Sequence, residues 1–156
     1  MTESVENEIV ADVARGLVAQ TAPQELPLFR AMSEAYFKDP QKVLEQKQGK
    51  DEMLGFGVEI AMFVAPVALE VAKTVVTFLV AELRKSAEKE ASGAIQERVH
   101  ELFHRDTGGG EPQPGLTREQ LARVHEVALK KASELKLPKP QADLLADSVV
   151  GSLSVA

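Results

Sequence analysis

Apolar residues recur along this chain at the spacing of helices, and no stretch alternates clearly as a half-buried strand would. Val5, Ile9, Val13 and Leu17 fall every four residues, flanked by Val10 and Val18, and predict a helix from about Glu3 to Gln20 with one apolar stripe. Glu3, Glu6 and Glu8 lie in its first turns, where the helix dipole favours negative charge. Pro23 and Pro27 interrupt the pattern. A second helix then carries Phe29, Met32, Tyr36 and Phe37, with Pro27 tolerated in its first turn. Asp39 is suited to cap a short helix over about 40–47, Pro40 suits its first position, and Gly49 marks its end.

The stretch from Val58 to about His104 is the most hydrophobic, broken by Pro66 and mildly by Gly93. Gly55 and Gly57 lead into it, and Pro66 is expected either to kink the helix or to mark its true start. Over 58–85, with a 100° advance per residue, Glu59, Glu70, Lys73, Thr77 and Arg84 share one stripe roughly 60° wide. Nearly everything else there is aliphatic, Phe, Met or Ala, as in a helix surrounded by others or one that meets lipid. A thinner seam runs on through Ala87, Ala91, Ile95, Val99, Leu102 and Phe103, closing at about 3.7 residues per turn, which suits a long, nearly straight helix.

The strongest punctuation is Thr107-Gly108-Gly109-Gly110-Glu111-Pro112-Gln113-Pro114-Gly115, which holds neither helix nor central strand. Beyond it, Thr117-Arg118-Glu119-Gln120 has the form of a capping box, and Leu121, Val124, Ala128, Leu129, Ala132 and Leu135 make the apolar face of the helix that follows. Lys136-Leu137-Pro138-Lys139-Pro140 turns the chain into a last helix, with Leu144, Leu145, Val149 and Leu153 expected inward. The expected fold is all-α: a helical bundle over 1–105 around a long central apolar helix, a Gly/Pro-rich linker over 106–116, and a tethered αα-hairpin over 117–156. The hairpin is too small to be stable alone, so it should dock on the bundle, on a second copy or on a partner.

Composition narrows the chemistry. The chain has 156 residues, no cysteine and no tryptophan, so thiol chemistry and Cys-based zinc sites are excluded and the core must be aliphatic. Acids outnumber bases 24 to 18, a net charge of −6, which weighs against nucleic acid as a partner. Most of that excess lies in residues 1–54, with ten acids against six bases. The acidic start lacks the basic and apolar regions of a secretory signal, so a cytoplasmic protein is expected, with peripheral membrane association as a variant. No cofactor is implied.

His100-Glu101-Leu102-Phe103-His104 sets two histidines one helical turn apart with a glutamate between them. This HExxH resembles the zincin metalloprotease signature, which implies zinc on His100 and His104 and Glu101 as general base. The chain departs from that pattern around the motif. Arg98 and Arg105 flank it, Asp106 takes a usually apolar place, and Thr107 and Gly110 stand where the extended form has Gly and His. Gly55-Phe56-Gly57 completes no phosphate loop, and Ser33, Ser86, Ser92 and Ser148 have no His and Asp partners in recognisable order.

The run Ile60–Leu79 invites a membrane reading. Its apolar residues contribute roughly −3 to −6 kcal/mol to insertion, while Glu70 and Lys73 cost about 2.5 to 3.5 kcal/mol each when unpaired. The sum disfavours a permanent span, though pairing of the two charges would soften the penalty. Three expectations follow. The first is a non-enzymatic interaction or adaptor protein that binds a protein partner or a second copy of itself, through Val76, Leu79, Leu83, Ile95, Val99, Leu102, Leu121, Val124, Leu145 and Val149. The second is a conditionally inserting or pore-forming effector using the 56–83 helix, with Phe56, Ile60, Phe63, Val64, Val67, Leu69, Val75, Phe78 and Leu79 entering lipid. The third, remote, is a zinc-dependent hydrolase using the HExxH at 100–104.

Overall fold

The computed structural model describes residues 3–47, 64–86, 99, 100, 102, 103 and 116–153. The fold is all-α, with no β-strand among the described residues. Six helices are described: α1 (Glu3–Thr21), α2 (Leu26–Lys38), α3 (Pro40–Lys47), α4 (Ala65–Ser86), α5 (Arg118–Glu134) and α6 (Lys139–Gly151). A single 3₁₀ turn, Pro23–Glu25, joins α1 to α2.

Local chemistry accounts for the boundaries. Pro27 sits in the first turn of α2, where its missing N–H costs nothing. The Asp39 carboxylate accepts from the Lys42 N–H at 3.2 Å, capping α3 behind Pro40. Pro66 is the second residue of α4, so it marks a start and not a kink. The expected capping box opens α5: the Thr117 hydroxyl accepts from the Gln120 N–H at 3.1 Å, and the Gln120 side chain accepts from the Thr117 N–H at 3.0 Å.

The end of α5 was less legible. The Leu137 N–H reaches the Ala132 carbonyl at 3.1 Å and the Lys136 N–H the Ser133 carbonyl at 3.0 Å, with Lys136 at a left-handed φ of 66°. That is the Schellman closure, carried out by a lysine where glycine is usual.

Helix α4 packs against α1, α2, α3 and α5, while α6 lies on α5 and α1. One continuous core joins Ile9, Val13 and Leu17 of α1, Met32 and Tyr36 of α2, the buried valines and leucines of α4, and Val124, Ala128, Leu145 and Val149 of the hairpin. Lys73, Thr77 and Arg84 are exposed, as the polar stripe predicts, whereas Glu70 is half-buried. Val99 and Leu102 are buried in the same core, as is Leu116. Continuation of the seam through Ala87, Ala91 and Ile95 lies outside the described residues, as does all of the linker except Leu116.

One expectation is corrected. Leu144 is 46% exposed, the one large hydrophobic so exposed among the described residues. Ala142, Leu145, Ala146 and Val149 fill the inner face of α6. Leu144 stands 100° from Leu145 and 160° from Ala146 around the helix, which turns it out between Gln141 and Asp147.

Candidate functional site

The chemistry of this chain gathers where polar side chains enter the apolar environment of α4. The first such place is the start of the helix. Val64 precedes it and has no side chain able to cap, and Pro66 has no N–H, so two backbone donors at Val64 and Ala65 need an acceptor. Glu25, on the 3₁₀ turn and only 3% exposed, supplies it: its carboxylate accepts from both N–H groups at 2.8 Å. A negative group at a helix N-terminus is favoured by the dipole as well as by the two bonds. The turn between α1 and α2 is thereby tied to a helix that begins about forty residues later.

The second place is the middle of the bundle. The hydroxyl of Tyr36, a fully buried side chain, donates to the Glu70 carboxylate, whose other oxygen lies 3.8 Å from the Lys131 ammonium. Lys131 also reaches Glu134 on its own helix at 3.6 Å. Three helices, α2, α4 and α5, therefore meet at one polar junction. Burial, and then the hydrogen bond to Glu70 and its charge, hold the Tyr36 phenol well above the ordinary tyrosine range, so it acts as a neutral donor. The pairing of Glu70 with Lys73 that their three-residue spacing allows gives way to these longer-range partners.

The third place lies three turns further along α4. Glu82 is 9% exposed and accepts from Lys85 and from Arg123 of α5, each at 3.1 Å. The Arg123 guanidinium also stands over the Phe78 ring, 5.1 Å from its centre. The bond from Lys85, with the charges of Arg123 and Lys85 and a bond to Gln120, holds the Glu82 carboxyl below its usual range, against the opposing effect of burial. On the hairpin itself, His125 of α5 and Asp147 of α6 pair at 3.0 Å on the surface.

Of the residues expected to mediate association, Val76, Leu79, Leu83, Val99, Leu102, Val124, Leu145 and Val149 are buried within the chain's own core, and Leu121 packs at its edge. Ile95 lies outside the described residues. Of the residues expected to enter lipid, Val67, Leu69, Val75 and Leu79 are fully buried, Val64 and Phe78 are half-buried, and Phe56, Ile60 and Phe63 lie outside the described residues. No helix among the described residues is long and apolar enough to cross a membrane. His100 is helical and half-buried, while Glu101 and His104 lie outside the described residues. Among the described residues no three His, Asp or Glu side chains gather as metal ligands would.

Sequence reasoning assigned no polar role to Glu25, Tyr36, Glu82 or Arg123. Two of these carried a signal. Glu82 sits about 120° from Glu70 on the α4 wheel, a charge well off the polar stripe of an otherwise apolar helix. Tyr36 is the chain's one tyrosine, on the apolar face of its helix, where a phenol must find a partner. No family model matches the chain, and no curated protein or solved structure is significantly similar to it.

Proposed function

We propose that this chain is a non-enzymatic helical interaction protein that associates with a second copy of itself or with a protein partner. The observation that carries this reading is how the polar groups entering the core are used. Glu25, Tyr36, Glu70 and Glu82 each join one helix to another, at three separate places, and do not converge on a point where a substrate would be held. Their chemistry serves helix–helix recognition. The hairpin meets α4 through acids on one side and bases on the other, a pattern that selects partner and register.

Light scattering of the full chain over a wide concentration range tests self-association. The expected result is a mass rising above that of one chain; a strict monomer at the highest concentration overturns it.

A second reading, a conditionally membrane-active protein, is supported by the apolar surface that α4 keeps inside the bundle, with Val67, Val71, Val75 and Leu79 fully buried. It needs the hairpin to leave α4. Dye release from anionic vesicles, compared between wild type and Arg123→Glu/Lys131→Glu, tests it. Leakage stronger in the variant supports insertion, and none from either removes this reading.

A further inference from the structure

The face of α4 beneath the hairpin has the form of a helix-binding site. Glu70, Thr74, Phe78 and Glu82 follow one another every fourth residue, a row of two acids with a threonine and an aromatic ring between them. Opposite runs the α5 row Arg123, Val127 and Lys131, in the reverse direction: Lys131 meets Glu70, and Arg123 meets both Phe78 and Glu82. Beside this row Val124, Ala128 and Ala132 are fully buried, side chains small enough to let the helix lie close. Two acids at the ends of one row thus meet two bases at the ends of another.

Resting on the self-association reading above, we propose that the partner this site fits is the α5–α6 hairpin of a second copy, so that two chains associate by exchanging hairpins. Three observations point there. The hairpin is a unit with its own closures: the capping box at Thr117, the Schellman turn at Lys136 and the His125–Asp147 pair all lie within it. The pairs Arg123–Glu82, Arg123–Phe78 and Lys131–Glu70 run between side chains of separate helices, so the same bonds form whether or not the two helices belong to one chain. The chain from Phe103 to Thr117 can span at most about 45–50 Å. A folded chain of this size has a radius of gyration of about 15 Å, so a neighbour's α4 lies within reach. Exchange makes no new interface and gains by mass action, which is why it should rise with concentration.

The test uses complementary charge reversals in the full chain. One variant carries Arg123→Glu/Lys131→Glu and the other Glu70→Lys/Glu82→Lys. Each alone sets like charges against each other within its own α4–α5 contact, whereas in a mixture each hairpin meets an oppositely charged α4 on the other chain. The expected result is a one-to-one heterodimer on mixing, at least tenfold more abundant than any homodimer of either variant. Two folded variants that stay separate on mixing overturn the exchange.

Should a reversal unfold the chain, a second measurement still decides. The chain has no cysteine, so Phe78→Cys/Arg123→Cys can be bridged with a short bis-maleimide and its products sized under denaturing conditions. Links between chains that grow with concentration support exchange. Links confined to single chains overturn it. If wild type is dimeric by light scattering while these links stay within one chain, the exchange falls and the self-association reading stands. A wild type that is monomeric throughout removes both.

Discussion

Tyr36 shows how much one side chain reports at the scale of a residue. Its phenol is buried and donates to Glu70, and both features favour the neutral form. The folded pKa is raised above the unfolded one, so the contribution to stability is complete below the unfolded value of about 10 and is lost as pH rises above it. Because the chain has one tyrosine and no tryptophan, tyrosinate absorbance reads this group alone. In an alkaline titration the absorbance should appear together with loss of helical circular dichroism, and not before it.

Two other positions suggest opposite substitutions with the same sign. Gly16 lies inside α1, and a Cβ built there meets no atom within 4 Å. Gly16→Ala should stabilise the fold by about 0.5–1 kcal/mol. Lys136 holds a left-handed conformation that glycine adopts freely, so Lys136→Gly should stabilise by a similar amount, about 1 kcal/mol. Urea unfolding measures both, and a loss of stability in either variant would show that its side chain or its absence has another role.

For elements, the start of α4 is the informative case. Its N-terminal donors are satisfied by Glu25, a residue far away in sequence, and not by a local cap. Glu25→Ala leaves two donors, one buried and one half-buried, without that acceptor and should cost about 2–3 kcal/mol, whereas Glu25→Gln, which keeps one acceptor oxygen, should cost less. Equal and negligible losses in urea unfolding would mean that water replaces the carboxylate.

This element also shows what the sequence conveys and what it does not. Helix periods, the Asp39 and Thr117 caps and the polar stripe at Lys73, Thr77 and Arg84 depend on neighbours a few residues apart, and they were legible. The partners of Glu25, Glu70 and Glu82 depend on which helices meet, and no local period encodes that. Leu144 failed for a related reason. Two adjacent leucines compete for one face, and the choice between them is made by what α6 packs against.

Across the whole molecule, the hairpin and the bundle are one core joined by charged contacts at its edge. Glu82 is the most deeply set of these acids, and its carboxyl is held below the usual range chiefly by Lys85 and also by Arg123. Its folded pKa is depressed, so its contribution is present above the unfolded value and is lost as pH falls through the folded one. Wild type should therefore exceed Glu82→Gln in stability at neutral pH, and the gap should close in acid, below about pH 4. Urea unfolding at a series of pH values checks this; a gap independent of pH would assign the loss to packing alone.

The pairing of α1 with α4 sets the order in which the chain can assemble. These two helices share extensive packing although more than forty residues separate them, whereas α5 and α6 are joined by a short turn. Closing a long loop costs entropy before any contact repays it, and a short one closes cheaply. A chain leaving the ribosome has α1, α2 and α3 in hand before α4 exists, with the apolar stripe of α1 uncovered in the meantime. The α5–α6 pair follows α4 along the chain and closes through a short turn, so the side of α4 that it covers stays open until after α4 itself has been made.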